Sequence, residues 1–206
     1  MAVIHGSGAS VALASGASTT FTNEATTANA ARTIYSITDQ AKRYWDDTAT
    51  LTVQKSTDAG ATWTAATGYT AQYPGGAITF TSAQAVGTLV RVSGKYLTTT
   101  TIGQAYEWSL DLALDTTDTS AFGDTWRAFT PSQRGASASL TAWWLDDAAL
   151  TLLTNGGRCA VALHTGTGRY EGFARLTSDA VAAAVGSAVG DDLAFTYDGQ
   201  VYYTAG

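Results

Sequence analysis

The stretch AYEWSLDLALD, Ala105 to Asp115, alternates large apolar with small or charged side chains at a period of two. Successive side chains of a strand point to opposite faces. Tyr106, Trp108, Leu110, Leu112 and Leu114 then share one face, and Glu107, Ser109, Asp111, Ala113 and Asp115 share the other. This is the clearest strand in the sequence. It commits the second half of the chain to β-structure with one apolar and one acid-bearing face.

Shorter alternating pieces extend that reading. Leu51 and Val53 in TLTVQKS lie on one face, and AITFTS and GTLVRVSGKYL alternate likewise, with YPGG as a turn signal before them. ASASLTAWW is a further strand, RCAVALHTGTGRYEGFARL reads as two strands joined at Gly166–Gly168, and DDLAFTYDGQVYYT reads as a hairpin turning at Asp198-Gly199. LDDAALTLLTNGG is the best helix, near residues 146–154, with acids at its start and Asn155-Gly156 to stop it. SDAVAAAVGSAV is bland enough to be helix or strand, and a strand is preferred because its neighbours need a partner. The expected fold is mainly β: a barrel or sandwich flanked by one short helix, with an N-terminal β-module.

Three segments follow. Residues 1–30 are small and polar and read as a flexible or extended arm, with Val11, Leu13 and Phe21 as possible anchors. Residues 31–97 form the β-module, in which ARTIYSITDQAKRYW begins the packed region. TTTTIGQ, Thr98 to Gln104, is a joint, and residues 98–206 form a second β-domain.

Composition narrows the class of function. The chain of 206 residues is 45% apolar, enough for a sizeable core, yet only 14% charged against a usual share of about 25%. A Thr-rich, aromatic-rich, charge-poor β-protein implies a surface covered by something other than water, which points to an assembly. Residues 1–97 carry six basic and five acidic groups, whereas residues 98–206 carry five and twelve. That acidic second half is unsuited to phosphate binding, which needs Lys and Arg to displace counterions. The single cysteine, Cys159, excludes an internal disulfide and sits in an apolar run, in keeping with a reducing compartment. No signal-peptide pattern and no run of about 18 apolar residues is present, so a soluble chain is expected.

Chemistry has little to draw on. STDAGATW, Ser56 to Trp63, matches the Asp-box of sialidases, but it occurs once, in a chain too short for a propeller. Its local physics is that of a hairpin: Asp58 caps backbone N–H groups, Gly60 takes a positive φ and Trp63 packs the turn down. His5 and His164 are the only histidines, and no zinc pattern, nucleophile elbow or phosphate cradle is formed. The acid pairs Asp46-Asp47, Asp146-Asp147 and Asp191-Asp192 read as caps or turns, since neighbours on a strand diverge. The chain is expected to be no enzyme and to need no cofactor or metal. The aromatic doublets Tyr44-Trp45, Trp143-Trp144 and Tyr202-Tyr203 put rings on both faces at once, which points to subunit interfaces, with Trp143, Trp144, Tyr202 and Tyr203 as the candidates.

TDTSAFGDTWRAFTPSQRG followed by ASASLTAWW resembles the tail tube (major tail) proteins of long-tailed bacteriophages, and YSITDQAKRYWDDTATLTVQ, GYTAQYPGGAITF and VRVSGKYL are similar to the N-terminal part of a group of them. The resemblance spans about residues 20–206, and Thr117–Trp126 is its most specific part. The Asp-box hairpin stands as an insertion relative to that family. The resemblance implies a β-barrel or sandwich with a helix, hexameric rings stacked into a hollow tube, and DNA passing through without specific binding. It also implies a tape-measure protein inside the tube, tail terminator and baseplate proteins at its ends, and a place in the virion tail after assembly in the host cytoplasm, with no membrane.

Under that resemblance the residues acquire roles. Ring closure needs heterologous contacts, and strand edges can supply them. Glu107, Ser109, Asp111 and Asp115 are expected to face the lumen, where carboxylates repel phosphates and let DNA slide. The loop Thr117, Asp118, Thr119, Phe122, Asp124 and Trp126 is expected to stack rings, the alternative being that Trp126 and Phe129 fill their own subunit's core. A decoration or baseplate subunit is one rival reading. A carbohydrate-binding module, with Trp and Tyr stacking on sugars, is another.

Overall fold

The computed structural model describes residues 10–14, 17–101, 105–123, 125–143, 148–154, 156, 158–184 and 189–205. The protein is mainly β, with curled antiparallel sheets and one short helix, the fold class expected. It divides into two compact units, neither continuous in sequence. The first comprises residues 1–102, 159–172 and 202–206, and the second residues 103–158 and 173–201.

The first unit holds β1 (Ser10–Ala14), β2 (Thr19–Ala28), β3 (Ile34–Ile37), β4 (Thr52–Ser56), β5 (Thr64–Ala65), β6 (Tyr69–Gln72), β7 (Ala77–Phe80), β8 (Leu89–Tyr96) and β9 (Thr99–Thr101). Seven of these form a sheet in the order β5-β4-β8-β2-β3-β7-β6. Strand β2 is long enough to serve two neighbours. Thr19–Ala25 pair with β8 across an irregularity after Phe21, and Thr26–Ala28 pair with β3. An irregularity bends a strand, so the sheet folds over Phe21, Tyr35, Ile37, Trp45, Val53, Ile78, Phe80, Val90 and Val92.

Of the two forms expected for the N-terminal arm, residues 10–14 and 19–28 take the extended one: they are strands paired into sheets, and Leu13 and Phe21, two of the expected anchors, are buried. TTFTNEATT has few core residues, yet threonine suits a half-buried pleated surface and its backbone supplies a full ladder. Val11's side chain lies outside the described residues. The expected joint likewise contains strand β9, which pairs with β1.

The doublet Tyr44-Trp45 is also corrected. Both rings are buried in the core of their own unit, and the pair lies in an irregular segment joined by a single bridge from Trp45 to Tyr96. The YPGG signal folds as a 3-10 turn, Tyr73–Gly75, ending at Gly76 with φ of 60°. A Cβ on Gly76 would stand 2.6 Å from the carbonyl oxygen of Arg43, so only glycine fits. STDAGATW caps the β4–β5 hairpin: Ser56 Oγ donates to Asp58, Thr62 N–H donates to Asp58 at 2.9 Å, and Gly60 takes φ of 92°. Trp63 Nε1 donates to Gly60 O, and its ring carries the Arg91 guanidinium 4.1 Å from the centroid. Every part of the motif is spent on the turn.

The second half of the sequence adds β10 (Ala105–Asp118), β11 (Phe129–Trp143), α1 (Ala148–Thr154), β12 (Arg158–His164), β13 (Gly168–Ala182), β14 (Gly190–Tyr197) and β15 (Tyr202–Ala205). Sequence division at residue 98 assigns Cys159–Gly172 and Tyr202–Gly206 to the acidic domain, whereas their contacts lie with the first unit. There β12 pairs with β1, and β15 pairs with Gly168–Glu171. Cys159 is buried in β12, and burial pushes its thiol up to about 12. The second unit orders its strands β10-β11-β14-β13. Ser178–Ala182 are strand, as preferred for SDAVA. The helix matches residues 148–154 of the expected span, and Asp146 and Asp147 lie outside the described residues.

The expected terminal hairpin does not form. Strand β14 pairs with Ala174–Ala182 and β15 with Gly168–Glu171, so the turn at Gly199, φ 115°, sends the two strands to separate stretches of β13. A long central strand offers more ladder than a four-residue hairpin does, and the turn signal alone cannot distinguish the two.

The first unit is fastened by an ion-pair network. Glu171, fully buried, accepts from Arg43 Nη2 at 2.6 Å and from Thr204 Oγ1 at 3.2 Å, and lies 3.3 Å from Arg169 Nε. Arg43 and Arg169 both reach Gln40. Burial, then the Glu171 charge, raise the Tyr44 phenol to about 12. The network ties β13 and β15 to the 3-10 turn at Gln40–Lys42.

Candidate assembly interface

Strands β10 and β11 make one long hairpin. Trp108 faces Leu140, Leu110 faces Ala138 and Leu112 faces Ala136, so the period-two pattern of one strand meets a matching pattern in the other. Ser109 and Ser139 hydroxyls join across the opposite face at 2.8 Å. The register shifts twice, between Ala105 and Glu107 and between Leu114 and Thr116, the latter opposite Pro131, which has no N–H to give.

The apolar face of β10 is not a core face. No described side chain of β10 is buried; Leu112 and Leu114 remain 59% and 51% exposed. On β11, Phe129 to Gly135 are exposed, and burial starts at Ala138. Leu140, Leu193, Phe195 and Leu176 are buried deeper along the same sheet. The outer half of the hairpin is therefore exposed on both faces. Strand β10 also ends the sheet order, pairing among the described residues with β11 alone. An exposed edge strand of 14 residues is a template for another chain.

Between the strands lies the loop. Thr119 N–H donates to Ala128 O, Ser120 N–H and Oγ donate to Asp118, and Ala128 N–H donates to Ser120 Oγ. The Ser120 hydrogen bonds hold the Asp118 carboxyl below its usual range. These bonds fix the loop neck while Phe122 and Trp126 stand in solvent, at 111% and 86% exposure. The alternative of Trp126 and Phe129 as core residues of their own subunit is not met, since Phe129 is 54% exposed. Asp124 lies outside the described residues.

Glu107, Ser109 and Asp111 share one exposed face with their cross-strand partners Thr141, Ser139 and Ser137, and β14 adds Asp192, Ala194 and Thr196. The face is small, polar and acidic. Glu107 and Asp111 take part in no ion pair among the described residues. Asp115 is exposed at the second register shift.

The interface aromatics fall into separate groups. Trp143, 40% exposed, packs its ring 4.9 Å from Tyr106 in the second unit, while exposed Tyr203 packs 5.0 Å from Tyr170 in the first. Tyr202 is half-buried, and Trp144 lies outside the described residues. As for the weighed catalytic candidates, Asp46 accepts from Thr48 N–H and Oγ1 as a turn cap, and Asp191 and Asp192 diverge to opposite faces. His164 has its imidazole pKa lowered, by burial first and then by the Arg169 charge. Among the described residues no group of three or more His, Cys, Asp or Glu could hold a metal, and no helix is long and apolar enough to cross a membrane.

Sequence reasoning missed a groove of about 590 Å³ beside the hairpin, lined by Leu112, Leu114, Arg134, Ala136, Tyr197 and Val201 among others. Arg134 and Val201 carry no periodic signal. They meet only because the turn after β14 returns to the hairpin.

No protein-family model matches the sequence, nor does any curated protein. Among solved structures, the chain is similar to one in the virion of a native gene transfer agent particle, at 20% identity and a TM-score of 0.47, over 52% of this chain and 89% of that one. It is also similar to a chain in the tail of an empty gene transfer agent particle of C6 symmetry, at 19% identity and a TM-score of 0.47, over 52% of this chain and 87% of that one. At that identity and TM-score the likeness bears no weight on function, which rests on the chain's own residues.

Proposed function

We propose that this chain is a structural subunit of a phage-type tail, and within it the tube: copies join into rings, hexameric by the sequence resemblance, and the rings stack into a hollow conduit for DNA. The observation that carries the reading is the β10–β11 hairpin, whose outer half is exposed on both faces and whose β10 edge has no paired strand among the described residues. Such an edge in a solitary molecule invites aggregation; in a ring it is covered. The sequence resemblance at Thr117–Trp126 falls on the same hairpin.

Within the tube, Glu107, Ser109, Asp111 and Asp115 line the lumen together with Asp192, and the loop Thr117–Trp126 reaches the next ring. Trp143, with Trp144 beside it, and Tyr202 and Tyr203 meet neighbouring subunits. A carboxylate wall without counter-cations repels phosphates and lets DNA pass. The tape-measure protein, tail terminator and baseplate are the partners that such a tube takes.

Electron microscopy of the purified protein tests the reading. Hollow stacked rings are expected, and a monodisperse monomer at every concentration overturns it. Asp111→Lys is expected to leave tube length unchanged while particles eject DNA poorly; normal infectivity would remove the lumen role alone.

A further inference from the structure

The hairpin carries two features that answer each other. At its tip, Phe122 and Trp126 are fully in solvent on a loop whose neck is tied by hydrogen bonds. Beside its outer half lies the groove of about 590 Å³, with Leu112, Leu114, Ala136 and Val201 as its apolar wall and Arg134 as its one charged lining residue. The stretch from Asp118 to Ala128 carries the carboxylates Asp118 and Asp124, with Arg127 beside Trp126.

We propose that this groove is the receptor for the loop of a second copy, taking the rings of Phe122 and Trp126 against Leu112, Leu114 and Val201 and setting Arg134 against the loop's carboxylates. This deepens the tube reading and rests on it: the loop's target becomes a named surface of the same chain.

The occupant must be another molecule. In this molecule Phe122 and Trp126 stand in solvent and are not among the lining residues of their own chain's groove, and Asp118, which pairs with Phe129 at the neck, lies four residues, about 13 Å, beyond Leu114. A knob and a socket at different places on one chain make a contact that can run on from copy to copy as a heterologous interface. Two aromatic side chains, each burying about 150–250 Å², would supply the anchoring centre of such a contact, and the opposite charges would set its register.

The test places a photo-reactive phenylalanine analogue at position 122 of the full chain and mixes it with isotopically labelled protein. The expected product is a cross-link between copies, from position 122 to a peptide containing Leu112–Leu114, Arg134–Ala136 or Val201. Leu114→Glu, at an exposed position, is expected to cut that product by more than about tenfold while leaving the circular dichroism spectrum of the subunit unchanged. Cross-links elsewhere on the second copy, with hollow tubes visible, would overturn the groove and spare the tube. Groove cross-links in an assembly that never forms tubes would do the reverse. Absence of both cross-links and tubes would overturn both, and co-flotation with phosphatidylcholine vesicles in place of self-cross-linking would hand the rings to a membrane and overturn the docking.

Discussion

The two units use the same kinds of residue to opposite ends. In the first, Trp45, Tyr35, Phe21 and Phe80 are turned inward, with Tyr35 and Phe80 edge to face at 5.5 Å. In the second, Tyr106, Leu112, Leu114, Phe122, Trp126 and Phe129 stand outside. The first unit even sequesters charge, with Arg43 and Glu171 closed off from solvent, whereas on β10 the carboxylates of Glu107 and Asp111 are left unpaired in water. The first unit closes its core within a single chain. The other keeps a hairpin whose outer half leaves Leu112, Leu114 and Phe129 exposed among the described residues, and a surface of that kind is explained by assembly, not by stability.

The sharpest way to break this contrast is to open the buried network. Glu171→Ala leaves Arg43 buried without its counter-charge and is expected to destabilise the protein by about 3–5 kcal/mol, read by urea unfolding; a loss close to zero would mean that the first unit is not self-sufficient. Next comes a matched pair of leucine-sized deletions. Ile78→Ala, at a fully buried site, should cost about 2–5 kcal/mol. Leu114→Ala, on the hairpin, should stay within about 0.5 kcal/mol for the isolated subunit. Equal costs would show that the hairpin does pack on its own unit.

A smaller effect appears in the pH dependence. Burial, and then Asp179 through its hydrogen bond and charge, raise the Asp191 carboxyl from 3.8 to about 6. The folded state holds this proton more tightly than the unfolded one, so the contribution of Asp191 to stability is full below about pH 4 and is lost as pH rises through about 6. Asp191→Asn should flatten that part of the profile and leave the protein more stable than wild type at pH 7.5; an unchanged profile would remove the acid pair from the account. The smallest effect belongs to the Asp-box. Hydrogen bonds from Ser56 and Thr62 lower Asp58 to about 2, so its support is present above the ordinary carboxylate range and lost as pH falls toward that value. Asp58→Ala should speed amide exchange at Gly60 and Thr62 with little change elsewhere, and exchange spreading through the sheet would contradict a purely local turn.

Much of this was legible without coordinates. The strand Ala105–Asp118, the hairpin role of STDAGATW, the strands at Ala77–Phe80 and Leu89–Tyr96, and the buried Cys159 all rest on local physics: period, turn chemistry and an apolar run. The candidate site was legible as a loop between two strands, and its exposure was not. TTFTNEATT hid a ten-residue strand because its contribution is backbone pairing, which composition does not display. Tyr44-Trp45 and Trp143-Trp144 look alike as doublets, yet the first pair is buried within its unit and Trp143 is partly exposed.

What the sequence alone determined was which segments alternate, where the chain must turn, and that the carboxylates gather in the second half. Only the tertiary structure decided that Ala160–Leu163 and Tyr202–Ala205 serve the first unit, that Glu171 lies between Arg43 and Arg169, and that Leu112 and Leu114 on the apolar face of β10 stay exposed. The reason is that periodicity is fixed by neighbours two residues apart, while burial depends on which distant segment arrives to exclude water. At the outer half of the hairpin, among the described residues, the turn after β14 arrives beside Leu112 and Leu114 without burying them.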